Sequence, residues 1–145
     1  MRLVLQRVSR ARVEVDGERV GAIGRGLVVL VGVAAGDRPE SAEVAAEKLL
    51  HLRIFADAAG KMNLDLRQAG GSLLLVSQFT LVASLDRGRR PSFEGAAPPE
   101  VAQERFEELA QRLAAAGVRV ETGRFGARME VELANDGPVT FVLDC

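Results

Sequence analysis

The sequence predicts an α+β fold in a single domain that spans residues 1–145. Three observations lead to this prediction. Strand patterns occupy both ends of the chain, two amphipathic helical patterns stand between them, and strands and helices do not alternate in the strict order of a parallel α/β sheet. The length is also that of one compact unit, and the chain shows no internal repeat, low-complexity run or linker.

The first third of the chain is predicted to be β structure. Polar and apolar residues alternate over 12–15 and return over 18–23. Asp16-Gly17 between them is typical of a two-residue hairpin turn, because glycine accepts the positive φ that this turn requires. Residues 27–33 are apolar without alternation, which predicts a central strand covered on both faces.

Two helices are predicted. The first begins at Pro39-Glu40, where a proline occupies the first turn and an acid lies near the positive end of the helix dipole, and it should end near Arg53. The second covers residues 99–116, where apolar residues recur with a 3.6-residue period, and Gly117 is its natural C-terminal stop.

The remaining apolar runs are predicted to be strands. Residues 73–76 form a buried strand that continues directly into residues 77–81. Residues 84–99 have little regular pattern. Three further strands should close the chain: residues 118–121, 129–133 and 139–143.

Composition narrows the class of protein. A chain with 48% hydrophobic and 27% charged residues has the balance of a soluble globule. The one cysteine, Cys145, cannot form an internal disulfide, which favours a reducing compartment. The start of the sequence lacks the features of a signal peptide, and no apolar stretch approaches the ~20 residues that a membrane span needs. We therefore expect a cytoplasmic protein without a membrane partner.

The residues of common catalytic sites are scarce. His51 is the only histidine, and its place between Leu50 and Leu52 in a helix is typical of a surface or packing residue rather than of a Ser-His-Asp triad. One histidine and one terminal cysteine cannot supply a typical zinc site, and the glycines do not form a phosphate-binding loop with its lysine. We expect no metal and no cofactor, and a reaction that depends on hydroxyl, amide and backbone groups acting on an already activated substrate.

Two polar segments stand out as candidate sites. Ser77-Gln78-Phe79-Thr80-Leu81 places groups that are costly to bury without partners at the end of a buried strand. Asn135-Asp136-Gly137-Pro138-Val139-Thr140 has the chemistry of a turn. Composition alone favours plain structural explanations for both, namely a strand end whose polar groups cap the backbone and a turn between two strands.

Taken as a pair, the two segments resemble the signature motifs of the D-aminoacyl-tRNA deacylase family, and no motif position departs from them. The similarity extends over essentially the whole chain. Four supporting segments follow the family's order: Leu5-Gln6-Arg7-Val8, Gly60-Lys61-Met62-Asn63-Leu64, Arg90-Pro91-Ser92-Phe93 and Thr122-Gly123-Arg124-Phe125.

The resemblance implies a homodimer with a layered β/β/α fold, mostly antiparallel strands and no metal. It implies hydrolysis of the ester that joins a D-amino acid, or glycine mischarged on tRNA-Ala, to the terminal adenosine of tRNA. Free amino acid and tRNA are the products, and the activity proofreads chirality in translation. An aminoacyl ester is intrinsically labile, so positioning and a few oriented dipoles suffice to hydrolyse it. The apolar run at 27–33 is a second reason to expect a dimer.

The resemblance also assigns roles to the first motif. Ser77, Gln78 and Thr80 become the catalytic residues, and Phe79 lies in the substrate pocket with its amide near the scissile carbonyl. A threonine nucleophile needs a base, and none is near in sequence. We therefore favour a Thr80 that orients the ester or stabilises the oxyanion, with water attacking and the 2′-hydroxyl of the tRNA assisting. The sequence leaves this choice open.

By resemblance, Gly137-Pro138 selects the chirality of the substrate. The bond between them is expected to be cis, and the loop to enter the pocket of the partner subunit. Two carbonyl oxygens there would accept hydrogen bonds from the ammonium group of the substrate and leave no space for an L side chain. Arg7 is expected to brace this loop.

The expected tRNA contacts are Arg87, Arg89 and Arg90. Three arginines within four residues, in an irregular segment after the first motif, suit a phosphate clamp, although a solvated surface loop explains them equally well. A net charge of −1 gives no general indication of nucleic-acid binding.

Two other functions remain open. The main alternative is a non-catalytic nucleic-acid-binding module, against which the near-neutral charge counts. The other is a hydrolase of small esters or peptides, against which the lack of a triad counts.

Overall fold

A computed structural model of the protein describes residues 1–86 and 88–145, and these form one α+β unit, as predicted. The elements are, in chain order, β1 (Arg2–Val15), β2 (Glu18–Ile23), β3 (Gly26–Gly32), α1 (Pro39–His51), β4 (Phe55–Ala56), β5 (Met62–Leu64), β6 (Ser72–Ser77), a 3₁₀ turn (Phe79–Val82), α2 (Pro99–Ala115), β7 (Val120–Thr122) and β8 (Glu130–Asp144).

The predicted hairpin joins β1 and β2. Asp16 has φ 51° and Gly17 has φ 78°, the two positive values that a tight turn between right-twisted strands requires. The strand that leads into this turn is longer than the sequence pattern indicates, because β1 runs unbroken from Arg2 to Val15.

The long strand β1 organises the sheet. Along one edge its first half pairs with β3 and its second half with β2, while β8 pairs along the other edge. These three pairings are antiparallel, whereas β6 is parallel to β3 and β7 is parallel to β6. The sheet order is β2-β1-β3-β6-β7, with β8 beside β1, and β4 and β5 form a separate small hairpin.

Two hydrophobic clusters give the fold its layers. Alternate residues of β3 and β6 point to opposite faces, so that Leu27 and Leu73 join one cluster, whereas Val28 and Leu74 join the other. The first cluster includes residues of α1 and α2. The second includes residues from the C-terminal half of β1 and from β2. The result is a β/β/α arrangement in which β3 and β6 are covered on both sides, as the apolar run at 27–33 predicts.

The helices agree closely with the sequence pattern. α1 begins at Pro39 and ends at His51, two residues before the expected end at Arg53. α2 ends at Ala115, and Gly117 follows it with φ +81°. None of the helices in the described part of the chain is long and apolar enough to cross a membrane.

Three expectations are corrected. Residues 77–81 do not continue the strand, because β6 ends at Ser77 and the chain turns into 3₁₀ structure. The strands expected at 129–133 and 139–143 are one strand, β8, so the plain turn between them was wrong. Residues 27–33 lie within the sheet of the protomer and are buried apart from Leu30, which is half-buried, so this run gives no separate reason to expect a dimer.

Candidate active site

The first motif begins where β6 ends. Ser77 is the last residue of β6 and lies beside Val31 of the parallel strand β3. The amide of Gln78 donates a 2.7 Å hydrogen bond to the carbonyl oxygen of Val31, which fixes the point at which the chain leaves the sheet. The following residues are released from the ladder, and their polar groups therefore reach the surface instead of the core.

Gln78 and Thr80 contact each other across Phe79. The side-chain amide of Gln78 donates a hydrogen bond to the hydroxyl oxygen of Thr80, which is exposed. No histidine or carboxylate among the described residues bonds to this hydroxyl. The geometry therefore supports an oriented hydroxyl rather than a nucleophile with an adjacent base.

A cavity of about 270 Å³ opens beside the motif. Ser77 and Gln78 supply its polar side, and most of the remaining wall, which includes Phe79, is apolar. Apolar walls with a few convergent polar groups are typical of small-molecule sites. The other lining residues are Val31, Val33, Ala96, Ala97, Pro99, Ala102, Phe106, Phe125, Gly126, Ala127 and Met129.

Sequence reasoning missed part of this wall. Phe106 belongs to the apolar pattern of α2 and Met129 to a segment predicted as a strand, and neither was assigned to a site. Phe125 belongs to a segment that carried the family resemblance, but no role was assigned to it. A phenylalanine at helical spacing, such as Phe106, indicates core packing. The hydrophobic pattern alone cannot show that its ring also borders a cavity.

The second motif forms a four-residue bulge in β8. Gln6 pairs with Thr140 and Val8 pairs with Asn135, so that Arg7 alone lies opposite residues 136–139. The side chain of Asn135 closes the bulge, because its oxygen accepts a 2.8 Å hydrogen bond from the amide of Val139. Within this bulge the Gly137–Pro138 peptide bond is cis, and Gly137 has φ +134°.

Arg7 holds the bulge from the opposite strand. Its side chain is 11% exposed. Nε lies 3.2 Å from the carbonyl oxygen of Asp136 and 3.2 Å from its carboxylate, and Nη1 donates a 2.6 Å hydrogen bond to the carbonyl oxygen of Ile54. One guanidinium thus connects the bulge to the segment that leads into β4, as an arginine fork is suited to do.

The two motifs do not meet in one cavity. Arg7, Gly137 and Pro138 are not among the residues that line the 270 Å³ space. Gly137 and Pro138 are instead exposed on the surface of the protomer. A single chain therefore brings Ser77, Gln78 and Phe79 to the cavity and leaves the bulge outside it.

The expected tRNA-binding segment follows the first motif. Ser84 and Ser92 pair through two hydrogen bonds of 2.9 Å, so residues 88–92 belong to a loop that returns to Ser84. Arg89 and Arg90 lie exposed in this loop, whereas Arg87 lies outside the described residues. In the described part of the chain, no three His, Cys, Asp or Glu side chains gather into a possible metal site.

The fold is that of a small α+β protein, and its apolar cavity beside a row of hydroxyl and amide groups has the form of a small-molecule site. A family model described as D-Tyr-tRNA(Tyr) deacylase matches residues 4–144. A protein of Anaeromyxobacter dehalogenans named D-aminoacyl-tRNA deacylase is 57% identical over 99% of this chain and 97% of its own length. The chain belongs to the D-Tyr-tRNA(Tyr) deacylase family, which confirms the resemblance.

Solved structures share the whole fold. One described as a c-Myc DNA Unwinding Element Binding Protein superposes with a TM-score of 0.94 at 39% identity, over 100% of this chain and 99% of its own. Another, from a structural analysis of a probable eukaryotic D-amino acid tRNA deacylase, has a TM-score of 0.88 at 20% identity, over 99% of this chain and 98% of its own. The second likeness shows the fold alone.

Proposed function

We propose that this chain hydrolyses the ester bond of D-aminoacyl-tRNA, and of glycyl-tRNA mischarged on tRNA-Ala, at the cavity beside Ser77–Thr80. Free amino acid and free tRNA are the products. The observation that carries the proposal is the juxtaposition of an apolar cavity with the hydroxyl and amide groups of Ser77, Gln78 and Thr80. The name of the relative that is 57% identical agrees with this activity.

The cavity suits the adenosine end of the substrate. Its apolar and aromatic walls, which include Phe106 and Phe125, match the flat faces of a base. The ester then lies at the polar side, next to Phe79 and Thr80. A water molecule attacks the carbonyl, the Phe79 amide and the Thr80 hydroxyl stabilise the developing oxyanion, and Gln78 keeps that hydroxyl oriented. The 2′-hydroxyl of the tRNA assists the attack.

Chirality is read by the backbone at Gly137-Pro138. Carbonyl oxygens accept hydrogen bonds from the ammonium group and leave no space for an L side chain, while glycine has no side chain to reject. Arg7 supports this role because it clamps the bulge through Asp136. Since the bulge stands outside the cavity of its own chain, the filter acts on the cavity of a second copy.

The working unit is therefore a homodimer. Two further features support this. Phe141 and Val142, which follow the bulge on β8, are 41% and 66% exposed, and the outer edge of β8 is unpaired within the described residues. An edge strand with exposed apolar residues is a typical site of association between chains.

The tRNA is held by Arg89 and Arg90, and the protein acts in the cytoplasm, where charged tRNA is used. Both arginines are exposed in the loop that follows the first motif. Exposed guanidinium groups are suited to phosphate oxygens, because they present several donors and a permanent charge.

The direct test compares ester loss from D-tyrosyl-tRNA, L-tyrosyl-tRNA and glycyl-tRNA, with spontaneous hydrolysis in protein-free buffer as the reference. We expect rapid loss of the D-tyrosyl and glycyl esters and a rate at the reference level for the L-tyrosyl ester. Equal rates for the D and L forms would contradict the chiral filter. Rates at the reference level for all three esters would contradict the proposed enzymatic activity.

A second candidate is binding to DNA. The observation that favours it is the fold-wide likeness, at 39% identity, to a structure described as a DNA unwinding element binding protein. Titration of duplex DNA against uncharged tRNA at the same salt concentration separates the candidates. Tighter binding of DNA, together with an absence of deacylation, would favour this alternative.

A further inference from the structure

A groove adjoins the cavity and shares two aromatic side chains with it. The groove has a volume of about 430 Å³, and Phe106 and Phe125 border both spaces. The two rings are packed together, with 6.2 Å between their centroids and 53° between their planes. An extended ligand that leaves the cavity past Phe125 therefore enters this groove directly.

The groove differs from the cavity in chemistry. Along α2, Gln103, Glu107 and Gln111 are spaced by four residues, so they lie on one face of the helix and line the groove together. The opposite side contributes Thr122 and Arg124. The groove thus combines an aromatic wall with an acid, two amides, a hydroxyl and a guanidinium group.

These groups remain available to a ligand. Gln103 donates a 2.8 Å hydrogen bond to the carboxylate of Glu107, which orients that acid and leaves its other lone pairs for a donor. Arg124 is 55% exposed, and its ion pair with Glu18, at 3.7 Å, is long and solvated. A phosphate that enters the groove can replace this contact.

We propose that the groove binds the cytidine nucleotide that precedes the terminal adenosine of the tRNA. This inference rests on the proposed function, which places that adenosine in the cavity. Transfer RNAs end in C-C-A, and the next nucleotide follows the adenosine across a single phosphodiester. Its base stacks on Phe125, in the way that proteins hold unpaired RNA bases on aromatic side chains. The linking phosphate pairs with Arg124.

The polar groups select cytosine rather than uracil. Cytosine carries an exocyclic amine that donates hydrogen bonds, and an acidic side chain is its natural acceptor. Glu107 supplies that acceptor, and the amide of Gln111 can donate to the ring nitrogen or carbonyl of cytosine. Uracil presents a carbonyl oxygen where cytosine presents the amine, so two acceptors would face each other at Glu107.

The experiment uses D-tyrosyl esters of adenosine, of the dinucleotide CpA and of UpA. With the native protein we expect KM for CpA to be about tenfold lower than for adenosine, as one added stacked base and phosphate contact would give. KM for UpA should stay close to the adenosine value. The value of kcat should be the same for all three, because the reacting ester is unchanged.

Variants locate the effect. Glu107→Ala should abolish the preference for CpA over UpA, and Arg124→Gln should raise KM for both dinucleotides, while neither variant changes the rate on the adenosine ester. Glu104→Ala and Arg119→Gln are matched controls, since both side chains are exposed and neither lines the groove. They should behave as the native protein does.

Several results would overturn the inference. These are equal KM values for all three esters, a KM for UpA as low as that for CpA, or variants that impair the adenosine ester as much as CpA. If no ester is hydrolysed, the proposed function fails. Binding of unesterified CpA, UpA and adenosine, measured by calorimetry, then still decides whether the groove takes cytidine.

Discussion

The ring of Phe93 lies against the ring of Phe79, with 4.9 Å between their centroids and 56° between their planes. Phe79 is 56% exposed and follows the residue at which the chain leaves β6, so few other contacts hold its ring. Phe93 comes directly after the loop closed by Ser84 and Ser92. The pair therefore connects the loop that carries Arg89 and Arg90 to the polar row at the cavity.

Replacing Phe93 with alanine should lower kcat/KM for D-tyrosyl-tRNA by about twofold to tenfold, because a tilted aromatic pair contributes about 0.5–1.5 kcal/mol. Phe93→Tyr should retain most of the activity, since it keeps the ring. Leu85→Ala is the matched control, as Leu85 is 75% exposed in the same loop. Activity of Phe93→Ala at the native level would show that the stacked pair does not position Phe79.

Thr80→Ala should slow ester hydrolysis strongly, because removing one oxyanion-type interaction typically lowers the rate by ~10²–10³. Affinity for the tRNA should stay within a few-fold, since the proposed function places the hydroxyl only at the reacting end. Single-turnover kinetics gives the rate and filter binding gives the affinity. Thr80→Ser keeps the hydroxyl and should recover most of the rate. A normal turnover in Thr80→Ala would remove Thr80 from the mechanism.

Gly137→Ala should abolish most of the activity. A methyl group at Gly137 would lie 2.6 Å from Cγ2 of Val139 and 3.2 Å from Nη2 of Arg7, and its φ of +134° is one that side chains rarely allow. The bulge must then shift away from Arg7. Gly24→Ala is the control, because nothing lies within 4 Å of the added methyl group and its φ is not positive. A Gly137→Ala protein with native activity and native D-over-L preference would contradict the backbone filter.

Replacing Arg89 and Arg90 together with glutamine should weaken tRNA binding and flatten its dependence on salt. Each lost phosphate contact should reduce the log–log slope by about one. Arg38→Gln serves as the control, because its side chain is 82% exposed and lies at the start of α1, outside the loop. If the double variant keeps the native slope, the loop is an ordinary solvated surface.

Val142→Lys should convert the proposed dimer into a monomer. The deacylation rate should fall along with the molecular mass, because the proposed filter acts across the interface. The motivation is the 66% exposure of Val142 on the unpaired edge of β8. Light scattering measures the mass, and Val44→Lys on α1, where the valine is 43% exposed, should leave it unchanged. A native chain that is monomeric and fully active would end the dimer proposal.

Local patterns predict those parts of the fold that local interactions determine. The turn at Asp16-Gly17 and the ends of α1 and α2 follow from glycine conformation, proline at a helix start and apolar periodicity. The continuity of β8 does not, because a segment containing Asn135, Asp136, Gly137 and Pro138 has turn chemistry by itself. Only pairing with the long strand β1 on both sides of Arg7 makes it a strand.

The candidate site divides in the same way. The residues of both motifs were found because the pair resembles a family, since each segment alone fits a strand end or a turn. Phe106 and Phe125 were not found, because a hydrophobic pattern predicts burial but not which face of a buried side chain borders a cavity. The sequence also does not show that Gly137 lies outside the cavity, because this depends on how distant strands are placed in the fold.

The bulge opposite Arg7 also limits how this protein can evolve. The ladder holds β8 in register on both sides of residues 136–139, at Asn135 with Val8 and at Thr140 with Gln6. Removing or adding one residue there would either change the size of the bulge and displace Gly137-Pro138 from Arg7, or shift the later residues of the strand by one position and turn Leu143 from the core towards solvent. Insertions and deletions should therefore be rare among functional descendants. The segment opposite Arg7 can therefore change by substitution more readily than by length.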